Sequence, residues 1–161
     1  MSSKHSVDPA EFRRACSQFA TGVTIAGVRD ASGNPHGLTV NSFTSVSLEP
    51  PLVLVSLGQQ ASVIEYFRRA EHFGVSVLDE GQREISDRFA RKGHDRFDGV
   101  AWSPGETGAP LIDGVLATFE CVVYRRVEAG DHDLFLGQVV RARLRPGRPL
   151  LYFASQYRAL A

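Results

Sequence analysis

The stretch Gly37-Leu38-Thr39-Val40-Asn41-Ser42-Phe43-Thr44-Ser45-Val46-Ser47-Leu48-Glu49-Pro50-Pro51-Leu52-Val53-Leu54-Val55-Ser56-Leu57 passes from a polar, hydroxyl-rich segment through a double proline into an almost unbroken apolar run. Residues 52–57 read as a core strand covered on both faces, because a half-exposed strand would alternate apolar with polar positions. Ahead of that run, small hydroxyl and amide side chains let backbone NH groups come close to a flat, polar-edged ring, with the apolar strand as a rigid floor. Composition alone also fits an ordinary strand, loop and strand connection, since Ser, Thr and Asn favour loops by bonding to nearby backbone.

Upstream, Asp8 and Pro9 supply a helix cap and first turn, and Glu11 completes a capping box. Phe12, Ala15, Cys16 and Phe19 share one face at helical spacing, so a helix is expected to end near Ala20 with that stripe packed inward. Residues 23–28 and the segment from Leu38 onward form a hairpin around a turn at 30–34. Downstream, Ser62 stands where a helix begins, with Val63, Ile64 and Phe67 following at helical spacing. Residues 72–78 return to strand, and a helix from Gln82 carries Ile85 and Phe89 on one face and stops before Gly93. Glycines and prolines among charged residues make 93–110 a long surface excursion. Two long β runs, 115–127 and 134–144, are joined through Glu128-Ala129-Gly130-Asp131-His132 as a bulged or long-looped hairpin, and a short strand at 150–153 comes last. Strands succeed one another without the helix between each pair that a parallel sheet demands. The expected architecture is mainly β, an antiparallel barrel with a few peripheral helices.

The 161 residues suit a single domain, with an ordered core from about 8 to 158, and such a chain buries roughly two thirds of its unfolded surface without a disulfide or metal. Eighteen basic and 18 acidic side chains cancel, so the basic stripe that nucleic-acid phosphates require is missing. No apolar stretch approaches the roughly 20 residues of a membrane helix. The opening Met1-Ser2-Ser3-Lys4-His5-Ser6 lacks the apolar core of a secretory signal, which points to the cytoplasm. Cys16 and Cys121 fall on apolar periodic faces, where a thiol acts as a small buried hydrophobe. The five histidines, His5, His36, His72, His94 and His132, show no metal-ligand spacing. No Gly-x-Gly-x-x-Gly turn, phosphate loop or Gly-x-Ser-x-Gly elbow is present.

Further motifs accompany the opening stretch in order along the chain. They are Gln18-Phe-Ala-Thr-Gly-Val-Thr24, Arg88-Phe89, Arg96-Phe97-Asp98-Gly99-Val100-x-Trp102, Gly108-x-Pro110-Leu111, Gly130-Asp131-His132 and Pro149-Leu150-Leu151-Tyr152-Phe153. Together they resemble the flavin reductase-like, FMN-binding split-barrel family, which includes the small reductase components of two-component flavin-dependent monooxygenases. The resemblance implies a homodimer of split barrels that reduces FMN or FAD with NADH or NADPH and hands the reduced flavin to a separate monooxygenase.

Carried onto this chain, the resemblance gives Pro35, His36, Gly37, Leu38 and Thr39, with Asn41 and Ser42, contact with the flavin ring and ribityl chain. Backbone NH groups there would stabilise negative charge arriving on the ring. Ser56, Leu57, Gly58 and Ser62 match the phosphate side, where a helix N-terminus and a hydroxyl suit an anion. Arg88 matches as a charge-assisted donor, with Phe89 beside it packing on the ligand or, more readily, on the core. His132, in the loop, matches the nicotinamide side as an assisting group, and Tyr152, Phe153, Ala154, Ser155 and Tyr157 match the C-terminal nicotinamide segment. Ala154-Ser155 stands where many relatives carry Arg-Gly, which leans the donor towards NADH. A flavin-binding protein without turnover, and a split-barrel enzyme for another planar phosphorylated ligand, are the competing expectations.

Overall fold

Every ladder among the described residues is antiparallel, whether a short turn joins its strands or they lie far apart along the chain. The computed structural model describes residues 6–93 and 95–161, which leaves His5 and His94 outside it. Helix α1 (Pro9–Ser17) precedes β1 (Thr21–Gly22), β2 (Thr24–Arg29), β3 (Pro35–Val40), β4 (Thr44–Leu48), β5 (Pro51–Gly58), α2 (Ile64–Arg69) and β6 (His72–Val77). A 3-10 turn at Glu80–Gln82 leads into α3 (Arg83–Ala90). Then come β7 (Trp102–Pro104), β8 (Pro110–Ile112), β9 (Ala117–Ala129), β10 (His132–Leu144), β11 (Leu151–Phe153) and β12 (Gln156–Arg158).

Seven strands share one sheet in the order β3-β2-β6-β9-β10-β5-β4, while β1-β11-β12 and β7-β8 form two small ones. Although β3 and β5 stand first and sixth in that order, they approach each other, so the sheet curls back and leaves an unpaired seam between them. Inside the curl, Phe67, Phe73, Phe135, Val55 and Leu57 are buried together, and Phe67 meets Phe135 edge-on at 5.7 Å. A second cluster under α3 joins Phe89, Phe97, Leu78, Ile25, Ile112 and Leu150.

Several expectations need correction. Helix α1 ends at Ser17 rather than near Ala20, and its stripe is not packed inward: Phe12 is 57% and Phe19 80% exposed, and Cys16 is exposed too. An amphipathic pattern states that a face wants cover but not which surface supplies it. The Asp8 carboxylate caps the helix by accepting from the Ala10 and Glu11 backbone NH groups. Residues 44–48, read as part of a polar segment, form edge strand β4, which reaches β5 through a turn containing a cis Glu49–Pro50 bond. The 128–132 connection is tighter than expected, since Ala129 pairs with His132 across Gly130 and Asp131, and the irregularities lie further along the ladder. The 93–110 excursion is anchored, with Phe97 buried and the β7–β8 hairpin folded on the core. The last strand gains a partner, β12, through a turn whose two residues, Ala154 and Ser155, both have left-handed backbone (φ 50° and 60°).

One β10 position tolerates no side chain. A Cβ on Gly137 would lie 2.4 Å from the Phe73 ring and 2.6 Å from the Cys121 Cβ. Burial pushes the Cys121 thiol up to about 12, so it stays neutral and acts as packing. Gly137→Ala is expected to cost about 1–3 kcal/mol, read as a lower urea midpoint with an unchanged slope.

Candidate functional site

The seam between β3 and β5 collects most of the positions singled out from sequence. At one end, the Ser42 hydroxyl accepts from the Ser56 backbone NH and donates to the Ser56 carbonyl, both at 2.9 Å. At the other, Arg96 Nη1 donates to the Gly37 carbonyl at 2.7 Å and Nη2 reaches the Ser62 hydroxyl at 3.4 Å. Two side chains therefore bridge what a barrel would close with backbone bonds. Because the Gly37 carbonyl points away from β2, the backbone groups of Gly37 and Thr39 face the seam. Asn41 is exposed at the end of β3. Partial burial pulls the Arg96 guanidinium below its ordinary range without neutralising it. Arg96 shares a cavity of about 330 Å³ with Pro35, His36, Gly37, Ser62 and Phe97.

Helix α3 holds this seam open from behind. The buried Ser86 carbonyl accepts from the Thr39 hydroxyl at 2.6 Å, tying β3 to the helix. Arg88 donates through Nε to the Arg96 carbonyl at 2.7 Å and through Nη2 to the carbonyls of Asp95 and Asp98. Phe89, fully buried, meets Phe97 edge-on at 4.8 Å. Phe97 in turn lies so close to Gly37 that a Cβ there would sit 3.2 Å from the ring and 2.7 Å from the Ala26 carbonyl. Residues 86, 88 and 89 thus position β3, the 95–98 turn and the Phe97 wall.

This geometry decides what each of these residues can offer a ligand. Arg88 commits Nε and Nη2 to the turn that presents Arg96, so its main contacts place Arg96 rather than face the seam. Phe89 is core. Ser62 does not cap α2, whose cap residue is Val63 with no side-chain bond, but its exposed hydroxyl faces Arg96. The hydroxyls of Thr39 and Ser42 are engaged within the protein, so their backbone groups are what they can offer a ligand. Leu38 and Leu57 belong to the packed interior. Arg96 was overlooked as a site residue although it opens one of the recognised motifs.

His132 lies where β10 runs beside the end of β5, paired with Gly58. Its Nδ1 lies 2.7 Å from the Asp131 carboxylate, and the contact holds that carboxyl below its usual range. With Nδ1–H donated to Asp131, Nε2 is left free on the side of Gly58, where a Cβ would stand 3.9 Å away. Behind it, Asp133 is completely buried and accepts from Arg68 at 2.9 Å, Gln59 at 3.0 Å and Arg126 at 3.2 Å. The Arg68 bond holds the Asp133 carboxyl low against the opposing effect of burial. Alternation along β10 turns Asp133 inward with Phe135 and Gly137, the signal that would have marked it in the sequence.

The C-terminal residues stand elsewhere. Tyr157 bonds Ser86 Oγ at 2.6 Å and Asp87 at 3.0 Å, lies under Arg83 at 4.9 Å, and meets Tyr152 edge-on at 5.5 Å. Burial pushes its phenol up. Tyr152 and Phe153 lie in β11, and Ala154 donates its NH to the Ser17 carbonyl at 2.8 Å. These residues contact α3 and α1, and none touches His132 within the chain.

An open seam beside an edge strand, a guanidinium with no ion-pair partner among the described residues and an adjoining imidazole suit a flat, acceptor-rich, anionic ligand. The chain belongs to the flavin reductase-like family: residues 16–161 match the "Flavin reductase like domain". It is 42% identical over 160 residues to the NADH-dependent FAD reductase of Streptomyces globisporus, covering 96% of this chain and 87% of that one. A structure of the NADH:FAD oxidoreductase from Streptomyces globisporus in complex with NAD and FAD fragments superposes with a TM-score of 0.90 at 42% identity, covering 98% of this chain and 97% of that chain. The reductase component of a flavin-dependent trigonelline monooxygenase from Acinetobacter baylyi is 45% identical over 129 residues, 80% of this chain. Against that longer relative the chain spans 42% of the length.

At the seam's edge, the His36 bond at 2.8 Å brings the Asp30 carboxyl down from its ordinary 3.8 to about 2. A lowered carboxyl stabilises the fold above its unfolded value and loses that contribution as pH falls through its folded value. Carboxyl NMR titration is expected to place Asp30 near 2, with thermal stability declining between about pH 4 and pH 2 and less steeply in Asp30→Asn.

Proposed function

We propose that this chain transfers hydride from NADH, or less readily NADPH, to FMN or FAD bound along the β3–β5 seam of a split barrel, and supplies the reduced flavin to a separate monooxygenase. The observation that carries this reading is the seam itself, where β3 has no partner strand on its outer side and Ser42 and Arg96 bridge the gap. The bound flavin supplies the redox chemistry; the chain binds, orients and excludes water. Gly37, Thr39 and Asn41 offer donors to the ring edge and ribityl chain, and Pro35 and His36 flank the cavity that Arg96 and Ser62 make suited to a phosphate. His132 Nε2, held in place through Asp131, stands at Gly58 where a nicotinamide donor can be oriented. The Ala154-Ser155 turn presents no cation for a 2′-phosphate, which supports NADH.

The working form is a cytoplasmic homodimer. Leu48 (94% exposed) and Leu144 (87%), together with Phe19 and Tyr124, leave more apolar surface uncovered than a lone domain of this size tolerates. No helix among the described residues is long and apolar enough to cross a membrane. Sedimentation is expected at twice the chain mass, and Leu144→Glu is expected to shift it towards the single chain; a wild-type chain sedimenting alone refutes the dimer.

Turnover tests the chemistry. NADH oxidation is expected to rise with added FMN or FAD. Arg96→Ala is expected to weaken flavin binding about tenfold, the loss of one charge-assisted bond. Arg88→Ala should do so less, through disorder of the 95–98 turn. His132→Ala should slow hydride transfer by about tenfold or more while flavin titration stays near normal. Flavin binding without NADH oxidation would instead identify a binding protein, and no flavin affinity would point to another planar phosphorylated ligand.

A further inference from the structure

Beyond Arg96 the seam meets an aromatic wall. His36 and Tyr66 lie face to face with ring centroids 3.7 Å apart and planes within 8° of parallel. His36 faces the cavity that holds Arg96, and Tyr66 lines a larger one of about 610 Å³ on the far side. That second cavity collects Arg29, Arg69 and His72 around the tip of the β2–β3 turn, with Thr107 and Gly108 opposite.

Its charges are unequally engaged. Arg29 donates through Nε to the Gly33 carbonyl at 2.8 Å. Arg69 has no ion-pair partner among the described residues, although its neighbour Arg68 has two. Of the carboxylates in the lining, Asp30 is taken up by His36, Ser32 and Asn34, and Glu71 is exposed. The cavity thus offers a flat aromatic surface beside two guanidinium groups, one of them unpaired.

We propose that this cavity receives the adenosine phosphate half of a dinucleotide, its purine stacked on the face of Tyr66 turned away from His36 and its phosphate drawn by Arg69 and Arg29. Purines stack on aromatic faces whatever their edges present, and guanidinium groups bind phosphate oxygens in pairs. The inference rests on the proposed placement of a flavin phosphate near Arg96 and Ser62. From there, a ligand one nucleotide longer than FMN has to cross the His36–Tyr66 wall. Two compounds carry the required group, FAD and NADH, and the cavity then decides either which flavin is preferred or how the donor is held.

Steady-state NADH oxidation by the purified full chain separates these cases, with FMN and FAD each titrated at saturating NADH and NADH titrated with FMN. For Arg69→Gln and Tyr66→Ala, a rise of about tenfold in KM for FAD relative to FMN assigns the cavity to FAD. A comparable rise in KM for NADH, with the flavin ratio unchanged, assigns it to NADH. Tyr66→Phe, which keeps the ring, should retain wild-type behaviour in either case. AMP should inhibit competitively against whichever dinucleotide the variants implicate and lose potency in Arg69→Gln. Wild-type turnover with FMN, combined with unaltered KM values in both variants and no competition by AMP, overturns the proposal while leaving the flavin reductase reading intact. Absence of turnover with either flavin overturns both.

Discussion

The Ser42 hydroxyl and the Arg96 guanidinium join β3 to the β5 side of the sheet at two points, and between them the backbone is left without a partner strand. Buried or half-buried backbone NH and carbonyl groups need partners, and a closed barrel would satisfy them within the ladder. Here β3 is an edge strand whose outer groups face a gap, and side chains span it only at the ends. The gap then becomes a row of oriented donors that a ligand can use. This is why the segment is rich in small hydroxyl residues. Thr39 and Ser42 spend their hydroxyls fixing the two walls, to α3 and to β5, and leave backbone groups facing inward.

The width of that gap is set from behind by α3. Ser86 holds β3, Arg88 holds the 95–98 turn and Phe89 holds Phe97, three successive contacts on a helix of eight residues. The close approach of Phe97 to Gly37 removes any freedom for that wall to move inward. Tyr157 bonds Ser86 as well, so the C-terminal hairpin and β3 share one anchor. The C-terminal hairpin and β3 thus meet at a single buried serine.

Much of this was legible in sequence because it is periodic. The apolar run 52–57, the hairpin around residues 30–34 and the two long runs that became β9 and β10 all appear where alternation or its absence placed them. Strand β4 was not legible, because an edge strand with exposed Thr44, Ser45 and Val46 has no apolar face to show. The inward stripe of α1 was a misreading of a different kind: its spacing is helical, but nothing local says what covers Phe12 and Phe19. At the candidate site, sequence named segments that the fold brings to one seam, but it did not show which side-chain atoms are already engaged. Whether Arg88 meets a ligand or a carbonyl depends on the path of residues 95–98, and the Gly37–Arg96 and Ser42–Ser56 contacts join positions whose proximity only the curled sheet creates. A motif places residues near a ligand, while hydrogen-bond accounting shows which atoms remain free to touch it.

That accounting also explains why the imidazole of His132 can be exposed and still be held in place. Its own side chain is anchored only by Asp131, itself open to solvent, and such a pair contributes little by itself. The rigidity comes from the next residue. Asp133 points the other way along β10, into a pocket with no solvent exposure, and fixes Arg68 of α2, Gln59 after β5 and Arg126 of β9 around one carboxylate. The Gln59 backbone NH adds a bond to the Asp131 carbonyl at 2.9 Å. An uncompensated charge there would be costly, so the three elements cannot separate without leaving Asp133 unpaired. The end of β5 and the tip of the β9–β10 hairpin are locked together one residue from His132, which leaves the ring few ways to move except about its own side-chain bonds. A fixed backbone, a free Nε2 and open access are what the orienting role proposed for His132 requires.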